Sequence, residues 1–233
     1  MLFDLRSPGR RRLIKTVYLF LAILIGVGLI GFGVGTGGNF GGLFSAAASG
    51  GGGTGSGGIK LEQALAKAEK QAKASPNSAA AWVKVGEDAY QLAVLPGNYL
   101  STAGYTKGGH AALEKLKAAW NRYLDLAPAK LNLTLSEEVA AGFAPAPTGI
   151  ADLPTAETAE GIVAEIQPTA LHYEYLAYYA YLAKDINGGD IAAAKAVSLT
   201  PKKQAKTLEA QLAGLRAEAV GATGASGATG ATG

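Results

Sequence analysis

The chain has 233 residues, a formal net charge of +3 and no cysteine. Disulfides, thiolate metal sites, catalytic thiols and cysteine-linked lipid anchors are thereby excluded. Glycine is concentrated outside the middle of the chain: 16 of the 33 lie in residues 26–58 and five more in 221–233.

The first 15 residues predict a basic cytoplasmic tail. Residues 1–34 hold Arg6, Arg10, Arg11, Arg12 and Lys15 against Asp4, a net +4, so the remaining residues carry −1. The basic character therefore belongs to the N-terminus. Nucleic-acid binding, which needs a basic patch on the folded part, is not expected. Residues 17–34, VYLFLAILIGVGLIGFGV, carry no charge. At about 1.5 Å per residue such a run spans roughly the hydrocarbon core of a bilayer. A transmembrane helix is predicted over 16–34. Positive charge before it and none until Lys60 after it place the N-terminus inside and the rest of the chain outside the cytoplasm. A cleaved signal peptide is the rival reading, since Ala46-Ala47-Ala48 offers a small-residue cleavage site. Against it, the apolar run is long and that site lies far beyond its end. Ala22 with Gly26, and Gly31 with Gly35, have the spacing that lets two membrane helices approach closely. Glycine is also simply common in such helices.

Residues 35–58 read as a Gly/Ser-rich flexible linker. Two literal GxGxxG strings, from Gly33 and from Gly53, lack the strand and helix that a dinucleotide site needs. The tail 220–233 repeats glycine every third residue without proline, and reads as disordered rather than collagen-like.

Between them, 59–219 is rich in alanine and leucine at helical spacing, and an all-α domain is predicted. A first helix carries Leu61, Leu65, Ala68 and Ala72 and ends at Ser75-Pro76. Ser78 caps a second, with Trp82, Val85, Gly86, Ala89 and Tyr90, broken at Leu95-Pro96-Gly97. Leu113, Leu116, Trp120, Tyr123 and Leu124 mark a third, ending before Pro128. A weaker helix is expected from Ser136, a proline-rich loop at 145–154, and helices over 155–167, 169–184 and 190–199. Asp185 and Asp190 are read as flanking an Asn-Gly-Gly turn that lacks the carboxylate count of a calcium loop. Thr200-Pro201 opens a last helix with Leu208, Leu212 and Leu215.

No catalytic constellation emerges. His110 and His172 stand far apart, there is no nucleophile elbow or phosphate loop, and no cofactor or metal is expected. Asn132-Leu133-Thr134 is a glycosylation sequon that carries no meaning in a typical bacterial host.

An internal repeat is visible. PNSAAAWVKVGEDAY (76–90) and PTALHYEYLAYYAY (168–181) both follow a proline. Trp82 is followed at +3, +4, +7 and +8 by Val85, Gly86, Ala89 and Tyr90; Tyr173 is followed likewise by Leu176, Ala177, Ala180 and Tyr181. This resembles the tetratricopeptide repeat, with its aromatic, large apolar, small, alanine and closing-proline pattern. The unit from Tyr173 to Pro201 is complete, that from Trp82 to Pro128 carries an insertion at 95–109, and 131–168 reads as a degraded middle unit. The helix over 60–74 would be the second helix of an incomplete first unit, and 202–219 a polar cap. An irregular bundle is the alternative architecture.

The resemblance implies a solenoid of stacked helix pairs whose concave groove binds an extended peptide or another protein. Transferred by offset, Tyr178, Tyr181 and Glu174, with Val83, Glu87 and Tyr90 in the earlier unit, would line that groove. The arrangement is similar to that of bacterial proteins with a short cytoplasmic N-terminus, one membrane helix and an outward tetratricopeptide domain. Some of these accompany protein export or envelope assembly. The expected function is a membrane-tethered adaptor without enzymatic activity. The alternative is a fixed accessory subunit of a larger membrane complex, docked through its glycine-bearing helix.

Overall fold

A computed structural model of the chain describes residues 56–224. The expected cytoplasmic tail and membrane span lie outside them, as do most of the linker and of the C-terminal tail. No helix among the described residues is long and apolar enough to cross a membrane.

The described part is built from eight helices and one small hairpin of strands. In chain order these are α1 (Ser56–Ala74), α2 (Ala79–Ala93), β1 (Tyr99–Leu100), β2 (Gly104–Tyr105), α3 (Lys107–Asp125), α4 (Leu133–Phe143), α5 (Leu153–Ile166), α6 (Ala170–Ala183), α7 (Ile186–Leu199) and α8 (Lys202–Gly224). Helix α1 begins inside the stretch read as linker, and α8 runs five residues into the stretch read as tail.

Local chemistry sets the boundaries. The side chains of Ser78, Asn132, Thr169 and Asp185 each accept a hydrogen bond from a backbone N–H in the first turn of α2, α4, α6 and α7. Such caps satisfy donors that a helix start leaves unpaired. Two sequence expectations are corrected here. The weak helix starts at Leu133 rather than Ser136, because Asn132, met as a sequon, is its cap. Asn187-Gly188-Gly189 is the first turn of α7 and not a separate turn, because Asp185 caps it. The insertion at 95–109 is itself folded. Tyr99 pairs with Tyr105 and Leu100 with Gly104 in a two-stranded ribbon, anchored by an Asn98 side-chain bond to the Leu92 carbonyl at 2.8 Å.

Every helix packs against the next in sequence, and α2 also touches α4 while α6 touches α8. Close contacts give the direction. A Cβ on Gly86 of α2 would stand 2.5 Å from Leu135 Cδ1 of α4, and one on Gly142 further along α4 would stand 3.7 Å from the Tyr90 ring. Helices α2 and α4 therefore run the same way, as the first helices of consecutive hairpins do when the hairpins stack. The region read as a degraded middle unit is a regular α4–α5 hairpin.

The core is dominated by alanine and leucine, in two clusters. The larger spans α1 to α6 and holds Leu65, Leu113, Leu116, Trp120, Tyr123, Leu135, Val139 and Phe143. The smaller joins α6, α7 and α8 through Ala177, Tyr181, Ala192, Ala196, Leu208 and Leu212. Helix α6 borders both. Tyr175, Tyr178 and Tyr179 pack on the first cluster, Tyr173 and Tyr181 on the second. That is why tyrosine occurs around its whole circumference.

The two tryptophans differ. Trp120 is 1% exposed and stacks on Tyr123 at 5.9 Å between centroids. Trp82 is only half-buried, and its indole N–H donates to the Pro76 carbonyl at 2.9 Å. Trp120→Ala should destabilise the full chain by about 3–5 kcal/mol, and Trp82→Ala by clearly less. Chemical denaturation followed by circular dichroism checks the order, and equal losses would contradict this packing.

Candidate functional site

Of the residues that sequence offsets assign to one groove, Tyr181 packs into the smaller core and Val83 against the larger one. Tyr181 is buried against α7, under Gly189, where its ring fills the space a Cβ would need. Its hydroxyl donates to Asp190 Oδ1 at 2.9 Å, and Arg216 of α8 donates to the same carboxylate at 2.7 and 3.0 Å. Tyr181 thus ties three helices together and is a core residue; offset arithmetic cannot see the glycine opposite it. Tyr178, half-buried, lies 5.8 Å from the Tyr179 ring and interacts with Glu218 of α8. Val83 is partly buried against the larger core. Glu174, also half-buried, stands beside Tyr175, and burial raises its pKa.

Glu87 and Tyr90, by contrast, belong to a polar seam whose other members carry no sequence motif. On α2, Asp88 is 2% exposed; Lys84 donates to its Oδ1 at 2.6 Å, while Oδ2 has no hydrogen-bond partner. On α4, Glu138 is 5% exposed, and its Oε2 likewise has none. Glu87, Glu137, Asp88 and Lys84 all act electrostatically on Glu138, which in turn acts on Tyr90. Glu137 carries the seam onward to α5 and α6 through its interactions with Glu160 and His172. Glu160 is 5% exposed, and its Oε1 lies 2.9 Å from His172 Nδ1.

Proton affinities along the seam follow from burial. Desolvation, with the Glu87, Glu137 and Asp88 carboxylates adding to it and Lys84 opposing, pushes Glu138 up to about 8. Desolvation also raises Glu87 and Glu137, and raises Tyr90 and Tyr179 well above the usual phenol value. Asp152, the cap residue of α5, goes the other way. Burial pushes it up, but bonds from Lys117 and Thr155 outweigh that and leave it below the ordinary carboxylate range. Glu138 can therefore hold its proton at neutral pH.

Nothing in the sequence signals Glu138 and Glu160 as seam residues; helical periodicity does place both beside apolar neighbours, Val139 and Ala159. No group of three or more His, Asp or Glu among the described residues could hold a metal ion. No family model, characterised protein or solved structure matches the chain.

The sign of the pH dependence is set by Glu138. Its folded pKa of about 8 stands above an unfolded value near 4.5. Both states are protonated in acid. As pH rises from 4.5 toward 8 the unfolded chain loses this proton first, so folding stability falls across that window and stays reduced above it. Glu138→Gln should therefore leave the melting temperature nearly unchanged at pH 4 and raise it at pH 9, by a margin on the order of 2–5 kcal/mol in stability. Thermal melts of both chains at the two pH values check this; an equal or lower melting temperature for the variant at pH 9 would contradict it.

Proposed function

We propose that the chain is a membrane-tethered, extracytoplasmic adaptor for protein–protein interaction, and that its stacked hairpins hold an extended peptide along α2, α4 and α6. The observation that carries this reading is that each of these helices bears half-buried carboxylates or tyrosines: Glu87 and Tyr90 on α2, Glu137 on α4, and Glu174, Tyr175 and Tyr178 on α6. Half-buried tyrosines offer large rigid contact area with a polar tip, the composition that recognition surfaces favour. The stacking of helix pairs supports the tetratricopeptide-like reading of the repeats. The uncharged run over 17–34, flanked by arginines on one side only, supports the tether and the outward placement. A fixed accessory subunit is the second reading, favoured by the small-residue spacing at Ala22, Gly26, Gly31 and Gly35.

Topology is tested by Ser226→Cys in this cysteine-free chain. The thiol should react with a membrane-impermeant reagent in intact cells or spheroplasts. Reaction only after lysis would overturn the outward placement.

A photo-crosslinking amino acid at Glu87 should capture a protein partner in cells, and the same probe at exposed Glu114 on α3 should not. Capture only from position 114, or from neither, would overturn the assigned face. A captured partner that also co-purifies in stoichiometric amount through detergent extraction would favour the accessory-subunit reading.

A further inference from the structure

The polar seam contains a defect that the fold does not need. Two carboxylates on adjacent helices, Asp88 of α2 and Glu138 of α4, are almost wholly buried, and each keeps one oxygen without a hydrogen-bond partner. Burying a polar group without a partner is costly, and burying a charge more so. An apolar residue at either place would remove that cost, as Val85 and Val139 do at the neighbouring positions. The two helices run parallel here, with Gly86 against Leu135 and Tyr90 against Gly142, so residues 86–90 lie level with 135–142. The orphan oxygens therefore sit at one level of one helix pair.

The local charge is unbalanced as well. Glu87, Glu137 and Asp88 all act on Glu138, and Asp88 also acts on Glu87; Lys84 opposes them at Glu87 and Glu138, and His172 acts on Glu137. Lys84 is committed to the other oxygen of Asp88. The phenols of Tyr90 and Tyr105 stand close by and interact with each other. The carboxylates of the cluster thus outnumber the cations that act on them.

We infer that the buried carboxylates of Glu138 and Asp88 receive the ammonium group of a lysine side chain presented by an extended partner peptide. The inference rests on the peptide-binding reading of the hairpin stack and specifies what that peptide carries. Lysine fits better than arginine for a geometric reason. Its three N–H donors diverge from a compact point charge on a thin stem, and reach single oxygens on different side chains. A guanidinium fork is matched to two oxygens of one carboxylate, whereas the two orphan oxygens here belong to different side chains. The tyrosine rings add apolar walls for the four-carbon stem. Entry of the ammonium ionises Glu138, whose proton leaves to the solvent, so binding at neutral pH is accompanied by proton release.

The test uses the purified full-length chain, immobilised, and a random pool of N-acetylated hexapeptides. Retained peptides should be enriched in lysine at least fivefold over the pool, and over arginine. Glu138→Gln should abolish the enrichment, whereas Glu114→Gln on exposed α3 should keep it. Should the Glu138 variant fail to fold by circular dichroism, acetylating the lysines of the pool makes the same test on the unaltered chain, and retention should drop to background. For a retained peptide, calorimetry at pH 7 in two buffers of different ionisation enthalpy should show about one proton released. Retention of peptides without lysine enrichment, or enrichment that survives both Glu138→Gln and acetylation, would overturn the lysine assignment and leave peptide binding standing. Retention of no peptide at all would overturn both.

Discussion

Alanine at the helix interfaces sets the distance on which the rest of the fold depends. Ala89 and Ala93 of α2, Ala112 and Ala119 of α3, Ala140 of α4, Ala156 and Ala159 of α5, Ala177 and Ala180 of α6, and Ala192 and Ala196 of α7 are all buried. Helices that meet through methyl groups lie at the close end of the usual spacing of about 8–10 Å. Close approach leaves little room for large side chains between the axes. The big residues are accordingly gathered at fewer places, chiefly around Trp120, Tyr123 and Phe143. Gly86, Gly142 and Gly189 mark the tightest points, where even a methyl group would collide with the neighbouring helix. Each helix packs against the next in sequence, and α2 also packs against α4 and α6 against α8, so the interfaces form one connected series.

Close packing also explains why the polar seam is so strongly perturbed. A carboxylate on a helix that approaches its neighbour this nearly loses water before it gains a partner. Glu160 finds one in His172, and Asp190 finds two in Tyr181 and Arg216. Asp88 is half satisfied by Lys84, and Glu138 is left to its own proton. The difference is one of location. The satisfied acids bridge helices that supply a donor, whereas Glu138 faces a cluster of other acids.

Much of the helical part was legible in the sequence because its signals are local. Ser78, Ser75-Pro76, Pro128 and Thr200-Pro201 bracket helices through capping and through the geometry of proline, which act within a few residues. Local signals mislead where one residue type has two local uses. Asn132 looked like a sequon and Asp185 like part of a turn, although each caps a helix. The insertion at 95–109 is marked in the sequence by the Leu95-Pro96-Gly97 break alone. Its fold depends on Asn98 reaching Leu92 and on the Thr106 amide donating to the Asn98 carbonyl, contacts invisible in any periodic pattern.

The site divides in the same way. Glu87 and Tyr90 could be singled out from their offsets in a repeat, because helical phase is fixed by about 100° per residue. The sequence by itself determined the helices, their order, their apolar faces and the uncharged run with its arginine flank. It could not determine which of five tyrosines on α6 face which core, since a helix that borders two clusters has no single inner face. Nor could it pair Asp88 with Glu138, or set Tyr181 against Gly189. Those juxtapositions join residues that are distant in the chain or belong to different helices, and are fixed only when parallel helices dock at a particular height. Only the tertiary structure decided them, because burial and the loss of water that shifts a carboxylate's proton affinity are properties of docked surfaces and not of residue types.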